Sequence, residues 1–243
     1  MRLLIIRHGD PDYSIDSLTE KGKREVQLLK DRLSKLDVKA VYCSPLGRAR
    51  DTAQPTLKAL GKAAEICGWL EEFSGYITDP DTGERRIPWD LLPYYWTNEP
   101  RFFDKDKWID VPLMQTGDVK EKYRAVCDGI DGLLKKHGYV RENNMYRAER
   151  ENRDTVLLFC HFGVECVILS HILNISPVLL WHGFVALPSS VTTLITEERE
   201  QGKAYFRCNG FGDISHLYAG NEPASFQARF CENFSETEER HLL

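Results

Sequence analysis

The chain has no Cys-x-x-Cys pair and no set of His and Cys residues at zinc-finger spacing. Neither a thioredoxin-like redox motif nor a structural zinc site is therefore written into it. Its seven cysteines are an odd number and are scattered. Cys43, Cys67, Cys160 and Cys208 fall in apolar, strand-like stretches, which reads as buried free thiols in a reducing compartment. Basic charge is not in excess: 32 Lys and Arg against 37 Asp and Glu leave a net charge of −5. That excludes sequence-independent nucleic-acid binding by a basic stripe, although a local arginine cluster can still hold an anion inside an acidic protein. No apolar run reads as a membrane span. The longest, Val156 to Leu173, contains His161, Glu165 and His171 and is interrupted by Gly163; such groups are costly in lipid, so it reads as a buried strand, a turn and a helix. The opening MRLLIIRHG is too short an apolar run for a signal peptide, and no cleavage site follows. The expectation is a cytoplasmic protein with neither a membrane nor a nucleic-acid partner. Internal repeats and low-complexity segments are also missing.

What is present is an ordinary globular composition. The 243 residues are 42% hydrophobic and 28% charged, enough for one large α/β domain or a domain with a sizeable insertion. Arg2 to Ile6 is too short and too apolar for anything but a buried strand. Thr19 is a plausible N-cap, after which Val26, Leu29, Leu33 and Leu36 recur at helical steps. Lys39–Cys43 reads as a second strand and Gly47–Leu60 as a helix, with Pro55 predicting a kink or a later start. Ala64–Trp69 suggests a third strand. Val119–Lys136 is helical, 138–154 reads as a solvated connection, and Thr155–Cys160, Gly163–Leu173, Val191–Thr196 and Ala204–Cys208 as strand, helix, strand and strand. Alternation of this kind implies a three-layer α/β sandwich, a mostly parallel central sheet with helices on both faces. Residues 73–115 break the rhythm with five prolines and seven Trp, Tyr and Phe between Trp89 and Trp108; the aromatics argue against disorder, and a cap or lid insertion within a single domain spanning 1–243 is expected.

Ligands of such sheets bind beyond the carboxyl ends of the strands, and His8 and His161 both stand at such ends. Arg7-His8-Gly9, Ser44-Pro45-Leu46-Gly47-Arg48-Ala49-Arg50-Asp51-Thr52-Ala53, Leu70-Glu71-Glu72-Phe73 and Phe159-Cys160-His161-Phe162-Gly163 occur in that order. Together they resemble the signature of the histidine phosphatase superfamily (phosphoglycerate mutase-like). The resemblance covers most of 1–73 and 115–220 and leaves out the insertion. It implies hydrolysis of phosphate monoesters with His8 as nucleophile, Arg7, Arg48 and His161 binding the phosphoryl group with it, and Glu72 as general acid. Phosphoryl transfer is mostly positioning and charge neutralisation, for which planar, always charged arginines are suited. A neutral imidazole splits one hard step into two. Its second nitrogen has to be held by a nearby acceptor, a backbone carbonyl being the expected one. Arg50 competes with Arg48, and Glu71 with Glu72; the family spacing favours Arg48 and Glu72. Glu165, His171 and His182 read as structural, as does His216 within Gly212–Leu217.

The departures narrow the activity. Where the cofactor-dependent mutases of this superfamily carry Ser and Asn after the Arg-His-Gly, this chain has Pro11 and Ser14. Their downstream arginine pair has no counterpart at its usual distance, although Arg85-Arg86 lies in the insertion. That favours the phosphatase branch over phosphoglycerate-mutase-type transfer. A non-catalytic phosphate-binding module is the other alternative, and the full set Arg7, His8, Arg48, Glu72 and His161 speaks against it. The expected substrate is a small phosphorylated molecule, discriminated by the insertion, with Arg85 and Arg86 as contacts to a second anionic group. Neither a metal nor a cofactor is expected.

Overall fold

A computed structural model describes residues 1–225 and 227; Cys231 and the end of the expected single domain lie outside the described residues. The first strand, β1 (Arg2–Arg7), is followed by α1 (Glu20–Leu33), β2 (Val38–Cys43), α2 (Gly47–Leu60) and the two-residue β3 (Glu65–Ile66). After the insertion come α3 (Val119–Lys136), β4 (Tyr139–Glu142), β5 (Met145–Ala148), β6 (Thr155–Cys160), α4 (Phe162–Leu173), α5 (Pro177–Gly183), β7 (Val191–Glu200), β8 (Lys203–Asp213) and the short α6 (Ser215–Ala219). One eight-stranded sheet runs in the order β3-β2-β6-β1-β7-β8-β5-β4. Strands β3, β2, β6 and β1 are mutually parallel, and β7, β8, β5 and β4 extend the sheet by antiparallel pairing.

The three layers follow from the two-residue period of the strands. Leu3, Ile5, Val156 and Leu158 point into the core shared with α3, α4 and the insertion. Leu4, Ile6, Leu157 and Phe159 point into a second core shared with α1 and α2. Each such buried side chain contributes about 1.5–3 kcal/mol, which is why both faces of the central strands are apolar. Helix α1 begins where expected: Thr19 Oγ1 accepts from Gly22 N at 3.1 Å, and Val26, Leu29 and Leu33 are buried. A Cβ at Gly22 would stand 2.3 Å from Asp10 O, so α1 crosses the segment after His8 at a separation only glycine permits. Helix α2 starts at Gly47 and runs through Pro55 to Leu60; Pro55 does not mark its start.

Several sequence expectations change, among them that for Cys208, which is exposed and not buried like Cys43, Cys67 and Cys160. The strand read at Ala64–Trp69 shrinks to Glu65–Ile66 at the sheet edge, both exposed, followed by a 3₁₀ turn at Gly68–Leu70. The stretch 138–154 is not merely a solvated connection: β4 and β5 form a hairpin that adds two strands to the sheet. Tyr139 and Tyr146 are fully buried there, and Asn143 takes the left-handed turn conformation at φ 52°. The charged residues between them hid that alternation. The insertion holds a two-residue strand pair, Ile77–Thr78 with Arg85–Arg86, a helical turn at Pro93–Thr97 and three 3₁₀ turns. Its Ile77, Leu91, Phe102, Trp108 and Met114 are buried in the same core as Leu3 and Ile5, so it is built into the molecule and makes no separate satellite core.

Candidate active site

Strands β1 and β6 pair in parallel with Arg7 opposite Cys160, so the residues that follow them, His8 and His161, emerge side by side. Their ring centroids are 5.1 Å apart. The His8 backbone is fixed on both sides: its N–H donates to Cys160 O at 3.0 Å, and its carbonyl accepts from Ser189 N at 2.9 Å. His8 Nδ1 lies 2.8 Å from Gly9 O. A carbonyl can only accept, so Nδ1 carries the proton and Nε2 keeps its lone pair. This is the backbone acceptor the sequence called for. His161 is completely buried, with Nε2 2.8 Å from Ser44 Oγ and Nδ1 without a partner among the described residues. Ser44 stands at the end of β2, the next strand of the sheet.

Arg7 is buried against the Phe162 ring, 5.6 Å from its centroid, and donates from Nη1 to Ala186 O. Arg48, in the first turn of α2, pairs through Nη1 with Asp16 Oδ1 at 2.5 Å and lies 5.4 Å from the Tyr13 ring centroid. Glu72 follows the 3₁₀ turn after β3. Its Oε1 accepts from Phe73 N at 2.7 Å and from Val164 N, in the first turn of α4, at 3.1 Å. A Cβ at Gly163 would come within 2.7 Å of that same oxygen and 3.0 Å of Trp89 Nε1, so glycine leaves the room in which Glu72 meets the helix. Glu71, its rival, is exposed.

Burial and charge tune these groups in opposite directions. Burial, then Arg7 and Arg48, drive the His8 pKa well below the usual histidine value, against the Gly9 hydrogen bond. Burial, then His8, Arg48 and Arg7, do the same to His161. Burial raises Glu72 above the ordinary carboxylate value, although the Phe73 amide and Arg7 oppose it. Burial also pushes Glu165, in α4, up to about 7. The site thus holds two neutral imidazoles and a carboxyl biased toward its protonated form among two guanidinium groups.

The five residues singled out in the sequence, Arg7, His8, Arg48, Glu72 and His161, meet at the carboxyl edge of the sheet. Arg85 and Arg86 do not join them. Arg86 is engaged within the insertion, with Nη1 2.7 Å from Asp79 Oδ2 and Nε donating to Asp90 O at 2.7 Å. Arg85 lies over the Tyr76 ring at 3.9 Å. The insertion reaches the cluster through Trp89, whose Nε1 donates to Phe73 O at 3.1 Å and whose ring meets Phe162 edge-on at 6.4 Å. The sequence assigned no role to Trp89, Asp16 or Ser44; Ser44 opens the Ser44–Ala53 motif, whereas Asp16 and Trp89 carry no local signal. The histidines read as structural make structural bonds. His216 Nε2 is 3.2 Å from Ser189 Oγ, and burial lowers its pKa to about 4. His182 Nε2 accepts from Leu91 N at 3.1 Å, and His171 pairs with Asp131 at 2.8 Å. Among the described residues, no group of three or more His, Cys, Asp and Glu is placed to hold a metal ion, and no helix is long and apolar enough to cross a membrane.

Comparison with known proteins gives an independent view. A family model described as the histidine phosphatase superfamily (branch 1) matches residues 3–207. The adenosylcobalamin/alpha-ribazole phosphatase of Escherichia coli K12 is 24% identical over 199 residues, covering 75% of this chain and 84% of that protein. The phosphoserine phosphatase of Entamoeba histolytica, solved as a mutant with phosphoserine, superposes with a TM-score of 0.60 at 19% identity, covering 89% of this chain and 98% of its own. A mycobacterial glucosyl-3-phosphoglycerate phosphatase superposes at 0.58 with 17% identity, covering 87% and 98%. These structures share the fold.

Proposed function

We propose that this chain, which belongs to the histidine phosphatase superfamily (branch 1), hydrolyses small phosphate monoesters through a phosphohistidine on His8. The observation that carries the reading is the fixed tautomer of His8. With Nδ1–H committed to Gly9 O, Nε2 is the nucleophile, and it attacks phosphorus as the P–O bond to the leaving alcohol breaks. Arg7, Arg48 and His161 neutralise the equatorial oxygens. If Ser44 donates to His161 Nε2, the unpartnered Nδ1 is a donor toward the phosphoryl group. Glu72 gives its proton to the departing oxygen, then takes one from the water that attacks the phosphohistidine, releasing inorganic phosphate and restoring His8. The phosphatase names of the relatives, each acting on a different small phosphorylated molecule, support the substrate class.

The test is a panel of small phosphate monoesters assayed before and after exhaustive EDTA treatment. Inorganic phosphate should appear from several of them and the rate should survive chelation, because the arginines and His161 supply the charge a metal would otherwise bring. An absolute requirement for added divalent metal would contradict the mechanism. Transfer of phosphate between positions of phosphoglycerate without net release would favour the mutase reading, and no turnover on any ester would favour a binding module.

The pH dependence follows from the two shifts. His8 must be neutral to attack, and a lowered pKa keeps it neutral well below the ordinary histidine range. Glu72 must be protonated to donate, and a raised pKa keeps it so above the ordinary carboxylate range. The kcat/KM profile on a slow leaving group should therefore be a bell whose acid limb lies below the ordinary histidine value and whose basic limb lies above the ordinary carboxylate value. An acid limb centred at the ordinary histidine value would show that His8 is not the depressed group.

Discrimination among esters has to come from contacts beyond the phosphoryl group, which all of them share. We assign it to the insertion, and within it to Trp89 in preference to the internally paired Arg86. Trp89→Ala should raise KM for the favoured substrate of the panel while changing turnover of a small aryl phosphate little. Equal losses on both would mean that Trp89 only supports Glu72.

A further inference from the structure

A cleft of about 400 Å³ opens at the opposite end of α4 from His161. Helix α4 has twelve residues, so about 18 Å of helix separates this cleft from the catalytic cluster. Its walls come from the insertion (Lys105), α3 (Lys120, Tyr123 and Arg124), the β4–β5 hairpin (Arg141) and the last turn of α4 (His171). Four permanent cations line it against a single carboxylate, Asp106.

The cations are not neutralised in proportion. Arg141 is held rigidly by neutral acceptors: Nε by Asn143 O at 2.6 Å, Nη1 by His171 O at 3.0 Å and Tyr146 OH at 3.1 Å, and Nη2 by Asn174 Oδ1 at 2.9 Å. On that side the carboxylate of Asp131 is committed to His171 at 2.8 Å and Tyr146 OH at 3.1 Å. Arg124 forms no ion pair among the described residues. Lys120 reaches Asp110 only at 3.7 Å, and Lys105 alone has a close partner, Asp106 at 2.7 Å. One wall is a stiff aromatic: Tyr123 OH is 3.1 Å from Ser170 Oγ, and its ring sits edge-on to Trp108 at 5.0 Å. The volume suits a small molecule. A guanidinium held in place as Arg141 is, with further cations beside it, is a usual recognition element for phosphoryl oxygens.

We propose that this cleft is a second ligand site, separate from the catalytic one, for a multiply anionic small molecule of the organic di- or polyphosphate class. Cations on three separate elements match more than one anionic group, and the Tyr123 ring gives the organic part a surface. A ligand there would join the insertion to the C-terminal end of the helix whose first turn holds Glu72.

The probe is imidodiphosphate, titrated calorimetrically into the full chain. Wild type should bind two equivalents, one at each site. Arg48→Ala, which weakens the catalytic clamp, should keep one of them. The double variant Lys105→Ala/Arg124→Ala should lose that one, weakening it by about tenfold or more, while turnover of a small aryl phosphate stays at the wild-type level. A single equivalent that disappears in Arg48→Ala would overturn the proposal. So would binding that survives Arg48→Ala but is insensitive to the double variant, or no equivalent that survives Arg48→Ala. Failure of the catalytic reading leaves this test intact, because it measures binding and not hydrolysis.

Discussion

His8→Ala should lower turnover of every phosphate monoester by roughly 10³-fold or more, the scale expected when a covalent nucleophile is removed and only binding and charge stabilisation remain. The effect should be chemical and not structural. The His8 ring makes one bond, from Nδ1 to Gly9 O, and meets the His161 ring, and the backbone bonds to Cys160 and Ser189 do not depend on the side chain. The variant should therefore melt close to wild type. It should still bind inorganic phosphate, because Arg7, Arg48 and His161 remain. Activity near the wild-type level in a folded His8→Ala would remove the nucleophile from the account.

Glu72→Gln should divide substrates by leaving group. Alkyl phosphates, whose oxygen needs a proton as it departs, should slow by roughly 10²–10⁴-fold; a nitrophenyl phosphate, whose leaving group is stable as an anion, should be much less affected in the first step. Glutamine is nearly isosteric, and its carbonyl oxygen can still accept from the Phe73 and Val164 amides that hold Oε1 at 2.7 and 3.1 Å. The loss therefore reports the proton and not a collapsed helix terminus. The exposed neighbour gives the control, since Glu71→Gln should change neither class. A larger loss in Glu71→Gln would mean that the register of this segment has been misassigned by one residue.

Much of this was legible in the chain because the key residues are tied to strand ends. A run such as LLII is short, apolar and followed by a polar tripeptide, so its position in a sheet and the direction of its last residue follow from the period of the strand. The parallel register of β1 and β6 then brings His8 to His161 without further information. The Thr19 cap and the Val26, Leu29 and Leu33 face were readable for a similar reason: each rests on residues within a few positions of one another. What was not readable depends on pairing between distant segments. Asp16 is an unremarkable acidic residue until its left-handed backbone, at φ 48°, carries its carboxylate to Gly47 N and to Arg48. Trp89 is one aromatic among many until the insertion folds back on Phe73 and Gly163. Arg86 looked available because its two carboxylate partners, Asp79 and Asp90, are brought to it only by the fold of the insertion. The β4–β5 hairpin was obscured by Arg, Glu and Asn on its exposed positions, which outnumber the buried Tyr139 and Tyr146.

In the proposed mechanism the phosphoryl group rests covalently on His8 during turnover. A rapid alkaline quench of the enzyme with ³²P-labelled substrate, followed by peptide mapping, tests it directly. A base-stable, acid-labile label confined to the peptide containing His8 and absent from His8→Ala is expected. Full turnover with no trapped label under conditions that preserve phosphohistidine, or label on another residue, would contradict it.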